Sequence, residues 1–329
     1  MGRLGLVGAA LLAIGACRAP VTPAPAGPPH ADLRIDCIES EIGPRGWLCA
    51  SELNAPFPFD ELLPSWNIDL PAGASFRVEF QVARAHGECW SPWLDFGGWG
   101  PWPVEDRAAT EFEHGEVQVD ILRLKTLHDR LRWRIRTRGL GSAQRMEVPA
   151  FHLTFTQRER MLDPTRSTNP IEVRALPVPL RRQGDEREGL APRICSPTSL
   201  AMVLEYRGVD VPTERVADLC YDAEHDIYGN WNRAVQVAYQ LGVPGHLTRI
   251  SSWEVVARNL RAGQPLVISI GAEAGQLRGA PYPSTAGHLM VLVGLDGEGD
   301  RHRPGEPRGQ AHVGDDRLVR LPVHEAVEG

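Results

Sequence analysis

The chain has 329 residues, of which 42% are hydrophobic and 23% are charged, and its formal net charge is −7. These values are typical of a soluble globular protein that is long enough for two domains. Acidic residues and arginines are interspersed and form no basic stripe, which argues against nucleic acid as a partner.

The chain begins with the features of a secretory signal. Arg3 precedes an apolar run, Leu4–Ala16, that is too short to span a bilayer as a stable helix. The run ends in Ile14-Gly15-Ala16-Cys17, which resembles a bacterial lipobox, and this resemblance implies lipidation of Cys17. We therefore predict a lipoprotein-type signal peptide over residues 1–17 and a protein of the cell envelope, held at a membrane surface by acyl chains. An ordinary signal peptide that is cleaved nearby, giving a secreted protein, is the alternative.

Strand-like patterns follow a short tether. Residues 18–31 are rich in Pro and Ala, a composition typical of a semi-extended linker. Between residues 32 and 160, apolar and polar residues alternate and Gly and Pro clusters separate the runs, which favours an antiparallel β-sandwich domain over 32–160. The predicted strands are Ser75–Val82, Val117–Leu124, Leu131–Arg136 and Phe151–Phe155.

A tryptophan-rich loop and three cysteines lie in this half. The loop runs from Cys89 to Trp102, and we interpret it as packing at the end of the sandwich, with a glycan- or peptide-binding surface as the alternative. Cys37 and Cys49 flank a turn-rich segment, so we predict a disulfide between them, with Cys89 as a competing partner. Cys220 lies in a helical pattern further along the chain and is predicted to be a buried small hydrophobe.

After a Pro- and Arg-rich linker over residues 161–177, the pattern changes to helices followed by strands, which predicts an α+β domain over 178–300. The predicted helices are Ser196–Tyr206, Pro212–Leu219, Trp231–Leu241 and a fourth that starts at the capping box Ser251-Ser252-Trp253-Glu254 and ends at Gly263. The predicted buried strands are Pro265–Ile270 and His288–Val293.

Cys195 and His288 are the candidate catalytic residues of this domain. Cys195 is followed by a polar helix start, where unsatisfied N–H groups and the helix dipole favour a thiolate. His288 opens an apolar strand and can act as the base of a cysteine nucleophile. The alternatives are a buried apolar cysteine and a core histidine. The other histidines are scattered and no Cys-x-x-Cys spacing occurs, so we predict no metal site.

Gln183, the run Cys195-Ser-Pro-Thr-Ser and the run Gly287-His288-Leu-Met-Val-Leu resemble the C39-like branch (family thirty-nine) of papain-fold cysteine peptidases over about residues 178–296. The resemblance implies a papain-like α+β fold, cleavage of a peptide or amide bond through a thioester on Cys195, and no cofactor. It also implies His288 as the base and Gln183, with the Cys195 N–H, as the oxyanion hole. A solvated loop residue is the alternative for Gln183. The tryptophan-rich half is loosely similar to the β domain that precedes some bacterial domains of this kind.

One part of the family pattern is missing. After the histidine strand the family continues into a strand that ends in an Asn-Asp-Pro-like motif, whose acid orients the histidine. Residues 301–329 lack a strand pattern and are predicted to form an atypical tail, disordered or altered by a change of reading frame after about Gly299. Asp300, Asp315 and Asp316 are the nearby acids. The leading prediction is a cysteine peptidase-like hydrolase with a peptide or protein substrate. The rival is a catalytically impaired surface binding protein that retains the peptidase scaffold.

Overall fold

The computed structural model describes residues 30–38, 47–49, 52–84, 89–140, 146–160, 171–250, 252–272, 274, 277–278, 284–296, 311–314 and 317–320. The chain divides into two compact units. The first unit comprises residues up to Met161 together with Trp231–Gln240 and Pro244–Arg249, and the second comprises Leu162–Asn230, Leu241–Val243 and the chain from Ile250 onward.

Strands outnumber helices in the described part of the chain. The strands, in chain order, are β1 (His30–Ile38), β2 (Trp47–Cys49), β3 (Leu53–Asp69), β4 (Ser75–Ala83), β5 (Leu94–Trp99), β6 (Glu111–Phe112), β7 (Gly115–Gln118), β8 (Ile121–Arg138), β9 (Glu147–Thr156), β10 (Glu172–Val173), β11 (Leu266–Ala272), β12 (Leu277–Arg278), β13 (Thr285–Leu292), β14 (Leu295–Asp296), β15 (Ala311–Gly314) and β16 (Arg317–Arg320). The helices are α1 (Cys195–Tyr206), α2 (Thr213–Cys220), α3 (Trp231–Gln240) and α4 (Trp253–Arg261).

The first unit is built on one antiparallel sheet of nine strands with the central order β1-β9-β3-β8-β4-β5. The two longest strands, β3 with 17 residues and β8 with 18, pair with register shifts that bend the sheet. This confirms the predicted antiparallel architecture of the N-terminal half. The division into two facing sheets, as in a sandwich, stays a prediction.

An aromatic core fills one side of this sheet. Alternate residues of β3, β4, β8 and β9 are apolar and fully buried, as the period of two predicts. Trp133 stacks on Phe151 with ring centroids 4.8 Å apart, and Trp66 stacks on the same ring at 6.2 Å. Large rings bury more apolar area than most other side chains, so we infer that this cluster contributes strongly to the stability of the first unit.

Arginines of β8 alternate with the core residues and form an Arg–Trp ladder with the predicted tryptophan-rich loop. The guanidinium carbons of Arg132 and Arg134 lie 4.4 Å and 4.1 Å from the ring centroids of Trp90 and Trp93. The full ladder consists of Arg130, Arg132, Arg134, Arg136 and Arg138 with Trp90, Trp93 and Trp102. Stacking of this kind supports the interpretation of the loop as packing.

A later segment of the chain covers the polar side of β3. Gln236 of α3 accepts from the Ile68 N–H (3.0 Å) and donates to the Ile68 carbonyl (2.7 Å). Residues 244–249, which we call the strap, then run along β3: Leu247 N–H donates to Ser65 Oγ (2.9 Å), and the Arg249 guanidinium contacts the buried Glu61 carboxylate. The first unit is thus completed by residues that lie within the range 178–300, which the sequence predicted as one continuous domain.

Two details of the N-terminal half differ from the sequence predictions. His30 and Ala31, expected in the tether, begin β1. The predicted strand Val117–Leu124 is split into β7 and β8 by a turn, where Val119 adopts φ +61 and Asp120 is buried. The Asp120 carboxylate accepts from the N–H of Trp231, the first residue of α3. This contact holds the turn in place, and because it joins distant residues, the local alternating pattern predicted a continuous strand instead.

The second unit contains α1, α2, α4 and a five-stranded sheet of order β11-β13-β16-β15-β12. Its predicted helices and strands are confirmed to within three residues at each end. Ser252, not Ser251, caps α4, and its side chain accepts from Val255 N–H (3.3 Å). Cys220 is fully buried, as predicted.

Two stretches predicted without strands contain them. Glu172 and Val173, in the predicted linker, form β10 and pair with β14. In the predicted tail, β15 and β16 join the five-stranded sheet. These strands have two or four residues each, which is too short for an alternating pattern to be recognised.

Several predictions lie outside the described residues: the signal peptide with Cys17, the tether up to residue 29, and the side chains of Cys37 and Cys49. Cys89 is exposed and is in no disulfide. None of the helices that the structure describes has the length and apolar character needed to cross a membrane.

Candidate active site

Cys195 is the first residue of α1. Ile194 precedes it as the helix cap, has no side-chain capping bond, and accepts at its carbonyl from Thr198 N–H (2.9 Å). Pro197 occupies the first turn, where its missing N–H costs no helical hydrogen bond. The Cys195 thiol is half-buried and belongs to no disulfide. The positive end of the helix dipole at this position favours the thiolate form that a nucleophile requires.

His288 lies on β13, which packs against α1. Its backbone is in register with Ile270 of β11, and its side chain is only 9% exposed. Ser199 Oγ donates to the carbonyl of Leu289, the residue after His288, at 3.1 Å. Ser199 is one helical turn from Cys195, roughly 6 Å along the axis. This hydrogen bond therefore holds the helix of Cys195 against the strand of His288 close to both residues.

Gln183 begins a short 3-10 turn, Gln183–Asp185, and is half-buried. This turn packs against a second 3-10 turn, Ala191–Arg193, which leads directly into α1. Arg181 anchors the same segment, because its guanidinium bonds Glu205 near the end of α1 at 2.8 Å. The structure thus places the turn that contains Gln183 beside the segment that leads into Cys195.

Sequence reasoning missed the loop of residues 221–230. The Arg193 guanidinium forms an ion pair with Asp226 (2.8 Å) and lies over the ring of Tyr228, with its carbon 5.1 Å from the ring centroid. The only sequence signal for this contact was an arginine two residues before the candidate nucleophile.

Asp222 organises the inside of this loop. Its carboxylate accepts from Asn230 Nδ2 (2.8 Å) and is paired with His225 Nδ1 (2.9 Å). Burial alone would raise the pKa of Asp222, but hydrogen bonds from His225, Asn230 and the Glu224 N–H outweigh it and hold that pKa below its ordinary value. The carboxylate is therefore ionised at neutral pH and available as an acceptor.

The candidate acids for orienting the histidine, Asp300, Asp315 and Asp316, lie outside the described residues. Within the described ranges, no three His, Cys, Asp or Glu side chains are grouped as ligands for a metal ion. The structure places α1, which starts with Cys195, beside β13, which carries His288, and a thiol and a histidine are residue types that nucleophilic catalysis uses.

Comparison with protein families assigns both halves of the chain. Residues 175–312 match the Peptidase C39-like family, and residues 45–152 match the Peptidase C39 N-terminal domain. The first match contains Gln183, Cys195 and His288, and the second contains the Arg–Trp ladder. No curated protein and no solved structure matches the chain. The resemblance carried by the Cys195 and His288 runs is thereby confirmed: the chain is a C39-like domain protein, with a Peptidase C39-like domain over residues 175–312 and a Peptidase C39 N-terminal domain over residues 45–152.

Proposed function

We propose that this protein is a cysteine peptidase-like hydrolase that cleaves peptide or amide bonds through a thioester on Cys195. The observation that carries the proposal is the hydrogen bond between Ser199 Oγ and the Leu289 carbonyl, which holds the start of α1 beside the strand of His288. A cysteine nucleophile and its base come from distant parts of the sequence, so such a tie between helix and strand is what their pairing requires.

The proposed chemistry uses three side chains. His288 takes the thiol proton, and the Cys195 thiolate attacks the substrate carbonyl carbon. The backbone N–H of Cys195 and the side-chain amide of Gln183 stabilise the oxyanion. The imidazolium of His288 then protonates the leaving amine, and the thioester forms. Water, deprotonated by His288, attacks the thioester and releases the carboxylic acid and the thiol.

We further propose that the enzyme works in the cell envelope, anchored through a lipidated Cys17 and reaching a peptide or protein substrate from its Pro/Ala-rich tether. The sequence of residues 1–31 supports this location. The N-terminal sheet is proposed to fold over its aromatic core as a sandwich, which the bends in β3 and β8 support.

Thiol alkylation with peptide-resolved mass spectrometry tests the proposal. We expect Cys195 to react with iodoacetamide well below pH 8.5, the ordinary pKa of a cysteine thiol, because an imidazolium–thiolate pair keeps the thiol ionised. The exposed Cys89 serves as the internal control, and Cys195 should react faster than Cys89 at mildly acidic pH. His288→Ala should remove the difference between the two cysteines.

The Gln183 assignment is tested separately. Gln183→Ala should lower the hydrolysis of a peptide substrate by roughly 100-fold and leave alkylation of Cys195 unchanged, because alkylation forms no oxyanion. If Cys195 reacts no faster than Cys89 at any pH, the hydrolase proposal fails and the catalytically impaired binding protein becomes the better description.

A further inference from the structure

The loop of residues 221–230 is held in one shape by its own hydrogen bonds. Asp222 and Ile227 exchange both backbone hydrogen bonds, at 2.8 and 3.2 Å. Between them, Asp226 adopts φ +52, in the left-handed region that L-residues seldom occupy. This conformation costs on the order of 1 kcal/mol and persists only where surrounding contacts fix it. Arg193 and Tyr221 supply these contacts for Asp226.

Arg193 holds it from outside the loop. Its guanidinium donates to both the backbone carbonyl and the carboxylate of Asp226. Tyr221 Oη donates to the same carboxylate (2.9 Å), and its ring packs against Tyr228 with centroids 5.0 Å apart. The hydrogen bonds from Arg193 and Tyr221 hold the pKa of Asp226 below its ordinary value, so the pair is ionised at neutral pH.

The same loop packs on the residue that caps the nucleophile's helix. Ile194 is fully buried in a small apolar cluster with Leu190 and Ala217, and the half-buried ring of Tyr228 packs against this cluster. The loop thus contacts both residues that immediately precede Cys195. It forms an ion pair with Arg193 and packs against the apolar cluster that contains Ile194.

Building on the proposed function, we infer that the loop of residues 221–230 is a positioning element for Cys195, acting through Arg193 and Ile194. The Arg193–Asp226 ion pair is exposed, with 41% of the Arg193 side chain and 71% of the Asp226 side chain accessible. Exposed ion pairs add little to stability. The effect of this pair is on geometry: it sets the turn before α1 and so aims the thiol at His288. A small misplacement of a nucleophile is enough to cost a large factor in rate.

Two substitutions separate positioning from simple electrostatics. Asp226→Ala leaves an unbalanced cation two residues from the thiol, which by charge alone favours the thiolate. Arg193→Met leaves an unbalanced anion, which by charge alone disfavours it. If the loop positions Cys195, both variants lower kcat by roughly tenfold, leave KM for a peptide substrate nearly unchanged, and weaken the reactivity of Cys195 below pH 8.5.

Asp226→Asn is the conservative variant, because Asn tolerates the left-handed conformation and keeps an acceptor for Arg193. It should restore most of the activity that Asp226→Ala loses. Glu214→Gln is the matched control, since it removes the charge of an exposed partner of Arg187 in the same unit (3.0 Å) and should change neither kcat nor the alkylation profile.

The inference is overturned if Asp226→Ala and Arg193→Met shift the alkylation profile in opposite directions with kcat unchanged, or if neither variant differs from the parent. Far-UV circular dichroism on each variant shows that it is folded, and Asp226→Asn carries the comparison if the alanine variant is not. His288→Ala distinguishes this failure from failure of the proposed function, because it tests the thiol–histidine pairing without touching the loop.

Discussion

The two units differ in how deeply their main ion pairs are buried. In the first unit, carboxylates are buried inside the fold: Glu79 accepts from Arg134 and Arg136, and Glu61 is paired with Arg123 and Arg249. In the second unit, ion pairs such as Arg193–Asp226 lie at the surface.

This difference indicates a division of labour between the units. Buried, fully paired charges specify one arrangement of a scaffold and are costly to disturb. Surface pairs cost little to break, so in the second unit they can fix the direction of a side chain without contributing much to stability. Substitutions of the buried carboxylates in the first unit should therefore damage stability, and substitutions near Cys195 should damage reactivity.

The largest expected effect is at Glu79. Its side chain is fully buried, so Glu79→Ala leaves two guanidinium groups without their shared acceptor and should cost about 3–5 kcal/mol of unfolding free energy. The control is Glu52→Ala, which removes an exposed partner of Arg130 and should cost about 1 kcal/mol or less. Hydrogen exchange of the β4 and β8 amides measures the loss locally. Equal losses for the two variants would remove the contrast between buried and surface charge.

The Arg–Trp ladder should give the next largest effect. Trp93→Ala removes a ring that lies 4.1 Å from the Arg134 guanidinium carbon and is expected to cost about 2 kcal/mol. Trp93→Phe keeps a smaller ring and should cost less. Urea denaturation of both variants measures this. A loss of ligand binding without a loss of stability would instead favour the binding-surface interpretation of the loop.

In the second unit, Ser199→Ala should lower activity more than it lowers stability. Loss of the hydrogen bond to the Leu289 carbonyl should cost only about 1 kcal/mol of stability but lower kcat by roughly tenfold, because α1 loses its tie to β13. Thr198→Val is the matched control: among the described residues, Thr198 Oγ1 is buried without a hydrogen-bond partner, so the variant should be as stable and active as the parent. A Ser199→Ala protein that is destabilised yet fully active would contradict the expectation.

The smallest effects are in the pH dependence of stability. Burial raises the pKa of Asp95 in the first unit, despite its pairing with Arg77, whereas the pKa of Asp222 in the second unit is lowered by its hydrogen bonds. The stability of the parent relative to Asp95→Asn should fall as the pH rises above about 4, the ordinary value for Asp. Relative to Asp222→Asn, it should fall as the pH drops below that value. Urea midpoints between pH 3 and 6 check both signs, and parallel curves would contradict them.

Prediction from sequence succeeded where one segment carried its own signal. The polar start of α1 after Cys195 and the apolar strand after His288 were sufficient to locate the helix, the strand and the family. The arginines at alternate positions of β8 were visible as a pattern, but the tryptophans that separate them come from another part of the chain, so the ladder was not predicted.

Prediction failed where a contact joins distant residues through polar atoms. Helix α3 was predicted from its own periodicity, yet its membership of the first unit depends on Asp120, Gln236 and the strap. The contacts of loop 221–230 with Arg193 likewise join residues that are about 30 positions apart in the sequence, and a local periodicity does not reveal them.

The strap has a consequence for the order in which the protein can fold. A ribosome makes β3 long before it makes Arg249, so Glu61 lacks one of its two guanidinium partners until nearly half of the second unit has also been synthesised. Likewise, Ser65 lacks its hydrogen bond from the Leu247 N–H until the strap has been synthesised. The first unit therefore cannot reach its final state by the simple N-to-C, domain-by-domain route. In a nascent chain arrested between residues 161 and 231, the polar side chains of β3 that the strap later contacts, Glu61 and Ser65, would still be exposed to water on that side.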